Sequence, residues 1–174
     1  MARAPRKTPA EPSLGPARRG GQGKVFTSPP INIEFAGPEH RVNQIDLELD
    51  GVYHGEASFE GRVFFDNPAA SLDTPRTAEA GYAGSFHVFG HGGCLGDPGH
   101  CELNGHREAY DFRPGHPLTL GARRVEVTET LRALAQTKQE VTVTIVPVIR
   151  AANEQCDKVN VPRFEGMRLV GYNP

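Results

Sequence analysis

The residues of this chain that are best suited to chemistry lie close together, between His87 and His106. This stretch holds four of the seven histidines and two of the three cysteines, interleaved with six glycines. Imidazoles and thiolates bind soft and borderline metal ions, and glycines let the backbone turn to bring such side chains together. The candidate metal ligands are His87, His91, Cys94, His100, Cys101 and His106.

The spacing limits which of these side chains can share one ion. In an extended strand His87 and His91 would lie about 13 Å apart at roughly 3.3 Å per residue. Ligands of one metal lie only about 3–4 Å from each other. A helix would place both rings on one face, but the surrounding glycines and β-favouring residues disfavour a helix. The two histidines can therefore bind one ion only if the chain folds back at Gly90.

The two cysteines leave three interpretations open. Cys94 and Cys101 enclose Gly96-Asp97-Pro98-Gly99, a turn sequence, so a disulfide and two thiolates on one metal are both geometrically reasonable. The stretch is a metal-binding loop, a structural loop clipped by a disulfide, or a set of unlinked polar residues. In the first case thiolates and imidazoles together suit Cu(I) or Zn(II), and the affinity order favours copper.

Length and composition favour one domain built of short strands. The chain has 174 residues with 20 Gly, 15 Pro and no Trp, and 37% of its residues are hydrophobic, which is typical of strands joined by turns. A net charge of −2 argues against nucleic-acid binding by the whole chain. No apolar run approaches the roughly 18 residues of a membrane helix. Since a hydrophobic signal core is also missing, we expect a cytoplasmic protein without a membrane partner.

Residues 1–24 are predicted to be a disordered basic tail, and residues 25–174 the folded domain. The tail has six Lys or Arg against one Glu, together with four prolines and four glycines. Such a segment has nothing to bury in a core. Only this tail has a charge that suits contact with a nucleic acid.

Alternation of apolar and polar residues predicts strands from Val25 onward. In the clearest case Ile45, Leu47 and Leu49 alternate with acidic residues, which predicts a strand with one face on the core and the other in water. Further strands are expected over residues 31–35, 62–66, 82–89, 125–127, 141–146 and 167–172.

Two residues mark where elements are expected to end or begin. Pro147 should stop the strand that starts at Val141, and Thr128 should cap a brief helix through Ala135. Seven or eight short strands with one small helix describe an all-β fold, an antiparallel β-sandwich.

Three short motifs, in this order, resemble the C-terminal β-domain of tyrosinases and polyphenol oxidases, the type 3 copper family. They are Gly-Tyr-Ala-Gly-Ser-Phe at 81–86 followed by His87, Arg-Arg-Val-Glu-Val-Thr-Glu-Thr-Leu at 123–131, and Val-Thr-Val-Thr-Ile-Val-Pro at 141–147. In that family an Ala-Gly-Ser-Phe strand leads to a loop, followed by a strand, a short helix and a strand that ends in Val-Pro. The resemblance covers residues 42–172.

The resemblance implies a jelly-roll-like sandwich that, in the family, packs against a helical catalytic domain and can cover its dicopper site. The family's six copper histidines lie on a four-helix bundle that has no counterpart here, so no catalytic residue is carried over. We therefore predict a non-catalytic accessory domain that shields a tyrosinase-like partner, assists its folding, or delivers copper through the His/Cys-rich loop. The alternatives are a small metalloenzyme that uses the same loop, with Asp97 or Glu102 as base, and a structural binding module stiffened by a disulfide.

Overall fold

The computed structural model describes residues 7–9, 25–55, 57–90, 110, 119–149 and 161–173. Within them lie ten strands, one α-helix and two 3-10 turns. The strands are β1 (Lys7–Pro9), β2 (Phe26–Thr27), β3 (Ile31–Asn32), β4 (Gln44–Val52), β5 (Phe59–Phe65), β6 (Tyr82–Val88), β7 (Gly121–Glu126), β8 (Glu140–Val141), β9 (Val143–Ile149) and β10 (Gly166–Tyr172). Helix α1 is Thr128–Ala135, and the 3-10 turns are Glu34–Ala36 and Ala78–Ala80.

Two antiparallel sheets form the sandwich. The first has the strand order β1-β10-β4-β7 and the second β2-β9-β5-β6, while β3 and β8 pair separately. Inward-facing side chains of both sheets, such as Leu47 of β4 and Val63 of β5, belong to one buried apolar cluster. Burial of this cluster between the sheets is the main stabilising contribution to the fold. The predicted all-β antiparallel sandwich is confirmed.

A second, smaller apolar cluster lies on the outer face of the second sheet. Phe64 and Val146, both buried, pack there against Ala70 and the half-buried Tyr82. The rings of Phe64 and Tyr82 meet edge to face with their centroids 5.6 Å apart. The segment 67–80 therefore covers part of this outer face, so that β5 is buried on both sides at Phe64.

The outer face of β4 differs from the predicted water-facing side. Glu48, whose side chain is 3% exposed, accepts bonds on Oε2 from Nε (2.9 Å) and Nη2 (2.7 Å) of Arg168. Its Oε1 accepts a bond from the Tyr172 hydroxyl at 2.7 Å and lies 3.2 Å from Nε of Arg124. A carboxylate can be buried only when such partners replace its water. The strand and its core side were predicted correctly, whereas the solvation of its other side was wrong.

This network makes the stability of the fold depend on pH in the alkaline range. The pKa of Tyr172 is raised to about 12, first because burial disfavours the phenolate and then because the hydroxyl donates to Glu48. The folded state thus holds the phenol proton more tightly than the unfolded chain, whose tyrosines titrate near pH ~10. The stability that this contributes is fully present below pH ~10 and is lost as the pH rises through about 12.

We therefore expect a late component, due to Tyr172, in the ionisation of the tyrosines. Ultraviolet titration of the folded protein should show this late component, and Tyr172→Phe should remove it. The fall in the free energy of unfolding above pH ~10 should be shallower in Tyr172→Phe than in the unaltered chain. A late component that persists in Tyr172→Phe would contradict the assignment.

The strand predicted over residues 31–35 is shorter in the structure. It ends at Asn32, whose Oδ1 accepts a bond from the Glu34 N–H at 2.9 Å. The Ala36 N–H then donates to the Ile33 carbonyl at 2.9 Å, which begins the 3-10 turn. An asparagine side chain that bonds the backbone two residues on favours a turn over a continued strand, and this outweighs the apolar alternation.

Helix α1 is confirmed, but Thr128 does not cap it. Val127 occupies the N-cap position and no side chain bonds the first turn. Thr128 is the first helical residue, and its Oγ1 accepts the Ile45 N–H of β4 at 2.9 Å. No helix in the described part of the chain is long and apolar enough to cross a membrane.

Pro147 does not stop its strand, since β9 continues to Ile149. The Val143 carbonyl accepts the Ser28 N–H, so Val143 faces the β2 side of the strand. The backbone N–H and C=O groups of successive residues point to opposite sides of a strand, so those of Val143 and Pro147, four residues apart, point to the same side. At Pro147 this side lies past the residues that pair with β2. Its missing N–H breaks no bond to β5, which is why proline is tolerated there.

One strand lies within the segment that was predicted to be a tail. Lys7–Pro9 forms β1 and pairs antiparallel with the end of β10. The division into a tail and a folded domain at residue 24 stays a prediction. The other residues of 1–24 lie outside the described residues, and for them the tail remains a prediction.

The two sheets meet at one corner, where β6 passes β7. Gly84 of β6 has a φ of +140°, and a Cβ built on it would lie 2.6 Å from Cγ1 of Val125. The ladder between β5 and β6 shifts register beside it. Only glycine combines this backbone conformation with so close an approach.

We expect Gly84→Ala to lower the free energy of unfolding by about 1–3 kcal/mol, because it adds backbone strain and a steric contact. Gly166→Ala is the matched control, since a Cβ there would meet no atom within 4 Å. It should change stability by less than about 0.5 kcal/mol. Denaturant unfolding compares the two variants, and equal effects would contradict the role given to Gly84.

Candidate functional site

A shallow hollow of about 360 Å³ lies on the outer face of the second sheet, at the end of β6. It occupies the part of that face next to the region covered by the segment 67–80. Its wall combines apolar and polar side chains, a composition typical of binding sites. The side chains that reach it from the outer face include Ser58, Glu60, His87, Phe89 and Val148.

His87 and Phe89 project outward because they alternate with core residues. Phe86 and Val88 are buried, whereas His87 is exposed and Phe89 is 80% exposed. His87 lies directly opposite Glu60 of β5 in the antiparallel ladder. Side chains opposite one another in such a ladder have Cβ atoms about 4.5–5.5 Å apart. The hollow therefore has an imidazole and a carboxylate side by side, with an exposed aromatic ring at its rim.

The carboxylate of Glu60 is held by two guanidinium groups. Its side chain is 14% exposed, and Oε2 lies 2.9 Å from Nη2 of Arg76 and 3.4 Å from Nε of Arg62. Arg62 also donates to the Leu72 carbonyl at 3.0 Å, which anchors the segment 67–80 beside the hollow. The negative charge of Glu60 is thus balanced by the protein itself.

Two further bonds fix the backbone around His87. Nε of Arg123 on β7 donates to the His87 carbonyl at 2.8 Å. The Gly90 N–H donates to Oγ of Ser58 at 2.9 Å. The chain therefore remains attached to the sheet from His87 to Gly90, and the imidazole stands on a well-defined strand.

Of the predicted metal ligands, the structure places only His87. The others, together with Asp97 and Glu102, lie outside the described residues: His91, Cys94, His100, Cys101 and His106. Among the described residues no group of three or more His, Cys, Asp or Glu could hold a metal ion. The metal site, the fold-back at Gly90 and the link between the cysteines therefore remain predictions. Imidazole is a suitable ligand for copper and zinc, so His87 fits the predicted role chemically.

Comparison with known proteins finds similarity among solved structures alone. The chain is similar to the latent aurone synthase, a polyphenol oxidase, from its natural source, with 15% identity and a TM-score of 0.48 over 91% of this chain. The recombinantly expressed latent aurone synthase gives 15% identity and a TM-score of 0.48 over 92% of this chain. No protein-family model and no curated protein matches the sequence. The chain spans 26% of the length of each of these polyphenol oxidases.

Sequence reasoning missed Glu60, Arg76 and Val148 as parts of this surface. Glu60 lies opposite both His87 and Val148 because of the register of β5 with β6 and β9, which no local pattern reveals, and Arg76 reaches the surface through its contact with Glu60. Phe89 could have been found, because it lies two residues after His87 on the same side of a predicted strand. An aromatic residue that alternates with the buried positions of a strand, and that follows the last of them, Val88, indicates an exposed apolar surface.

Proposed function

We propose that this β-sandwich is a non-catalytic accessory domain of a tyrosinase-like, type 3 copper protein. It contacts that partner through the hollow and Phe89, and its His/Cys-rich loop binds copper for the partner. The observation that carries the proposal is the position of His87 and Phe89. Both are exposed, His87 near the end of β6 and Phe89 directly after it, where the chain leads into the His/Cys-rich stretch. The order of the three sequence motifs supports the type of partner.

Two polar groups of the hollow, Glu60 and Ser58, are engaged by other groups of the protein, which favours a role in binding over one in catalysis for them. A general base needs a lone pair that is free to accept a proton from substrate. Oε2 of Glu60 is engaged by Arg62 and Arg76, and Oγ of Ser58 accepts the Gly90 N–H. These contacts shape the surface and leave recognition to the exposed ring of Phe89 and the imidazole of His87.

Copper binding would combine a fixed ligand with others from the loop. His87 is presented by a strand whose backbone is bonded on both sides, which lowers the entropy cost of holding an ion there. Thiolates of Cys94 and Cys101 would supply the soft ligands that Cu(I) prefers. The nearby apolar rim would let the same surface that holds the ion also contact the partner.

The metal prediction is tested by competition titration with a chromophoric Cu(I) chelator at neutral pH. We expect Cu(I) binding by the unaltered chain, with affinity at least about tenfold weaker in His87→Ala and in Cys94→Ser. His40→Ala is the control, because His40 is 47% exposed beside Glu39 and lies outside the hollow. Absence of binding, or equal affinity in His87→Ala, would refute the site.

Counting thiols in the same protein separates a metal loop from a disulfide-clipped loop. Three reactive thiols in the native, metal-free chain are expected for the metal loop, since the chain has three cysteines. One thiol before reduction and three afterwards would instead establish a disulfide and a structural role.

The partner contact is tested with the catalytic domain of a tyrosinase-like protein in a calorimetric titration. We expect Phe89→Ser to weaken binding about tenfold or more, because a buried aromatic anchor typically dominates such an interface. Leu72→Ser is the matched control: Leu72 is also exposed, at 57%, but lies in the segment 67–80. Binding that Phe89→Ser leaves unchanged would exclude this surface.

A further inference from the structure

The described side chains at the Glu60 end of the hollow carry more positive than negative charge. Glu60 lines the hollow, and the guanidinium groups of Arg62 and Arg76 both approach its carboxylate. Two positive charges therefore face one negative charge. The chain as a whole has a net charge of −2, so this local excess does not follow from a basic composition. A positive surface on a chain of the opposite net charge favours an anionic partner.

Arg76 is the cation of this group that a partner can reach. Its bond to Glu60 is made through Nη2, and its side chain is 47% exposed. The side chain of Arg62 is 15% exposed and also donates to the Leu72 carbonyl. A guanidinium has five N–H groups in a fork that matches a carboxylate. The N–H groups of Arg76 that do not contact Glu60 can therefore bind a second carboxylate.

The acidic residues of the segment 67–80 leave this guanidinium accessible. Asp73 and Glu79 lie in the same segment, but among the described residues Glu60 is the carboxylate that pairs with Arg76. The charge on Glu60 also limits which anion suits the hollow. It repels a doubly charged phosphate about twice as strongly as a singly charged carboxylate. A carboxylate is consequently the better match.

Apolar groups stand next to these charges. Val148 of β9 and His87 of β6 lie opposite Glu60 on its two sides, so the three residues form one row across the sheet. Phe89 is 80% exposed at the rim, and aromatic rings prefer to pack against other rings. The volume of about 360 Å³ is near the lower end of the roughly 300–1,000 Å³ typical of ligand pockets. A short segment fits it better than a whole helix or strand.

We propose that the segment of the partner that fills the hollow has an acidic side chain next to an aromatic one. Its carboxylate pairs with Arg76, and its ring packs against Phe89 and Val148. This inference rests on the proposed function, which makes the hollow a contact surface, and it adds the chemistry that this surface recognises. The ion pair supplies specificity, whereas burial of the two rings supplies most of the affinity.

The test uses two capped tripeptides, Glu-Phe-Glu and Gln-Phe-Gln, which have similar shapes and differ in charge. They are titrated into the full chain, and binding is followed by NMR of the backbone amides. We expect Glu-Phe-Glu to bind about threefold or more tightly than Gln-Phe-Gln, with the largest shifts at His87 and Phe89. Raising the salt concentration from about 50 mM to about 500 mM should reduce this preference, because salt screens the ion pair.

Variants locate the preference at one side chain. Arg76→Gln loses the charge and keeps a donor for Glu60, so the preference should fall below about twofold, while Arg76→Lys should retain part of it. Lys138→Gln is the matched control, since Lys138 is 46% exposed and pairs with Asp66 away from the hollow. It should leave the preference unchanged.

Three results would overturn the inference. The first is binding of both tripeptides with equal affinity, or of neither. The second is a preference that Arg76→Gln leaves unaltered. The third is displacement of Glu-Phe-Glu by inorganic phosphate at equal concentration, which would assign the hollow to a phosphate group instead.

Titration with the catalytic domain of a tyrosinase-like protein separates this inference from the proposed function. If Phe89→Ser weakens that binding and Arg76→Gln does not, the contact surface stands and the recognition of an acidic side chain is wrong. If the domain does not bind while the tripeptide preference holds, the proposed partner is wrong and the hollow still recognises an acidic aromatic segment.

Discussion

The need to pair or cover every strand is the constraint on which the rest of this structure depends. Short strands in two layers leave backbone edges and outer faces that cost free energy unless partners satisfy them. Each unusual local feature answers this need. Glu48 and its cationic partners close the outer face of β4, and Gly84 lets the edges of β6 and β7 meet. The segment 67–80 covers Phe64.

These solutions differ in how strongly they resist change. The apolar cluster around Phe64 is stabilised by the apolar area that it buries, so it tolerates substitutions that keep its side chains apolar and similar in volume. The network around Glu48 depends on geometry, because a buried carboxylate that loses its partners cannot recover its water. Its members come from β4, β7 and β10, so the network also fixes the mutual register of these strands. A one-residue slip would turn Glu48 toward the apolar core.

The sequence predicted what depends on neighbouring residues and missed what depends on distant ones. Alternation at Ile45, Leu47 and Leu49 is local, and the core side of β4 followed from it. The burial of Glu48 depends on Arg168, which lies 120 residues further along the chain. At the hollow the outward direction of His87 followed from its strand, whereas the neighbouring Glu60 depended on the register. Pro147 is tolerated in β9 because β2 ends before it, and the extent of β2 is not visible in the residues next to Pro147.

The outer face of the second sheet connects the fold to the proposed function. Segment 67–80 closes one part of that face with Phe64 and Tyr82, and Arg62 holds both the segment and Glu60. The remaining part of the face contains the hollow, and the ring of Phe89 at its rim is exposed to water. Exposure of Phe89 lowers the stability of the isolated domain, since apolar area stays in water. The proposed contact with a partner would recover that contribution, so the uncovered part of the face is the surface where we expect binding.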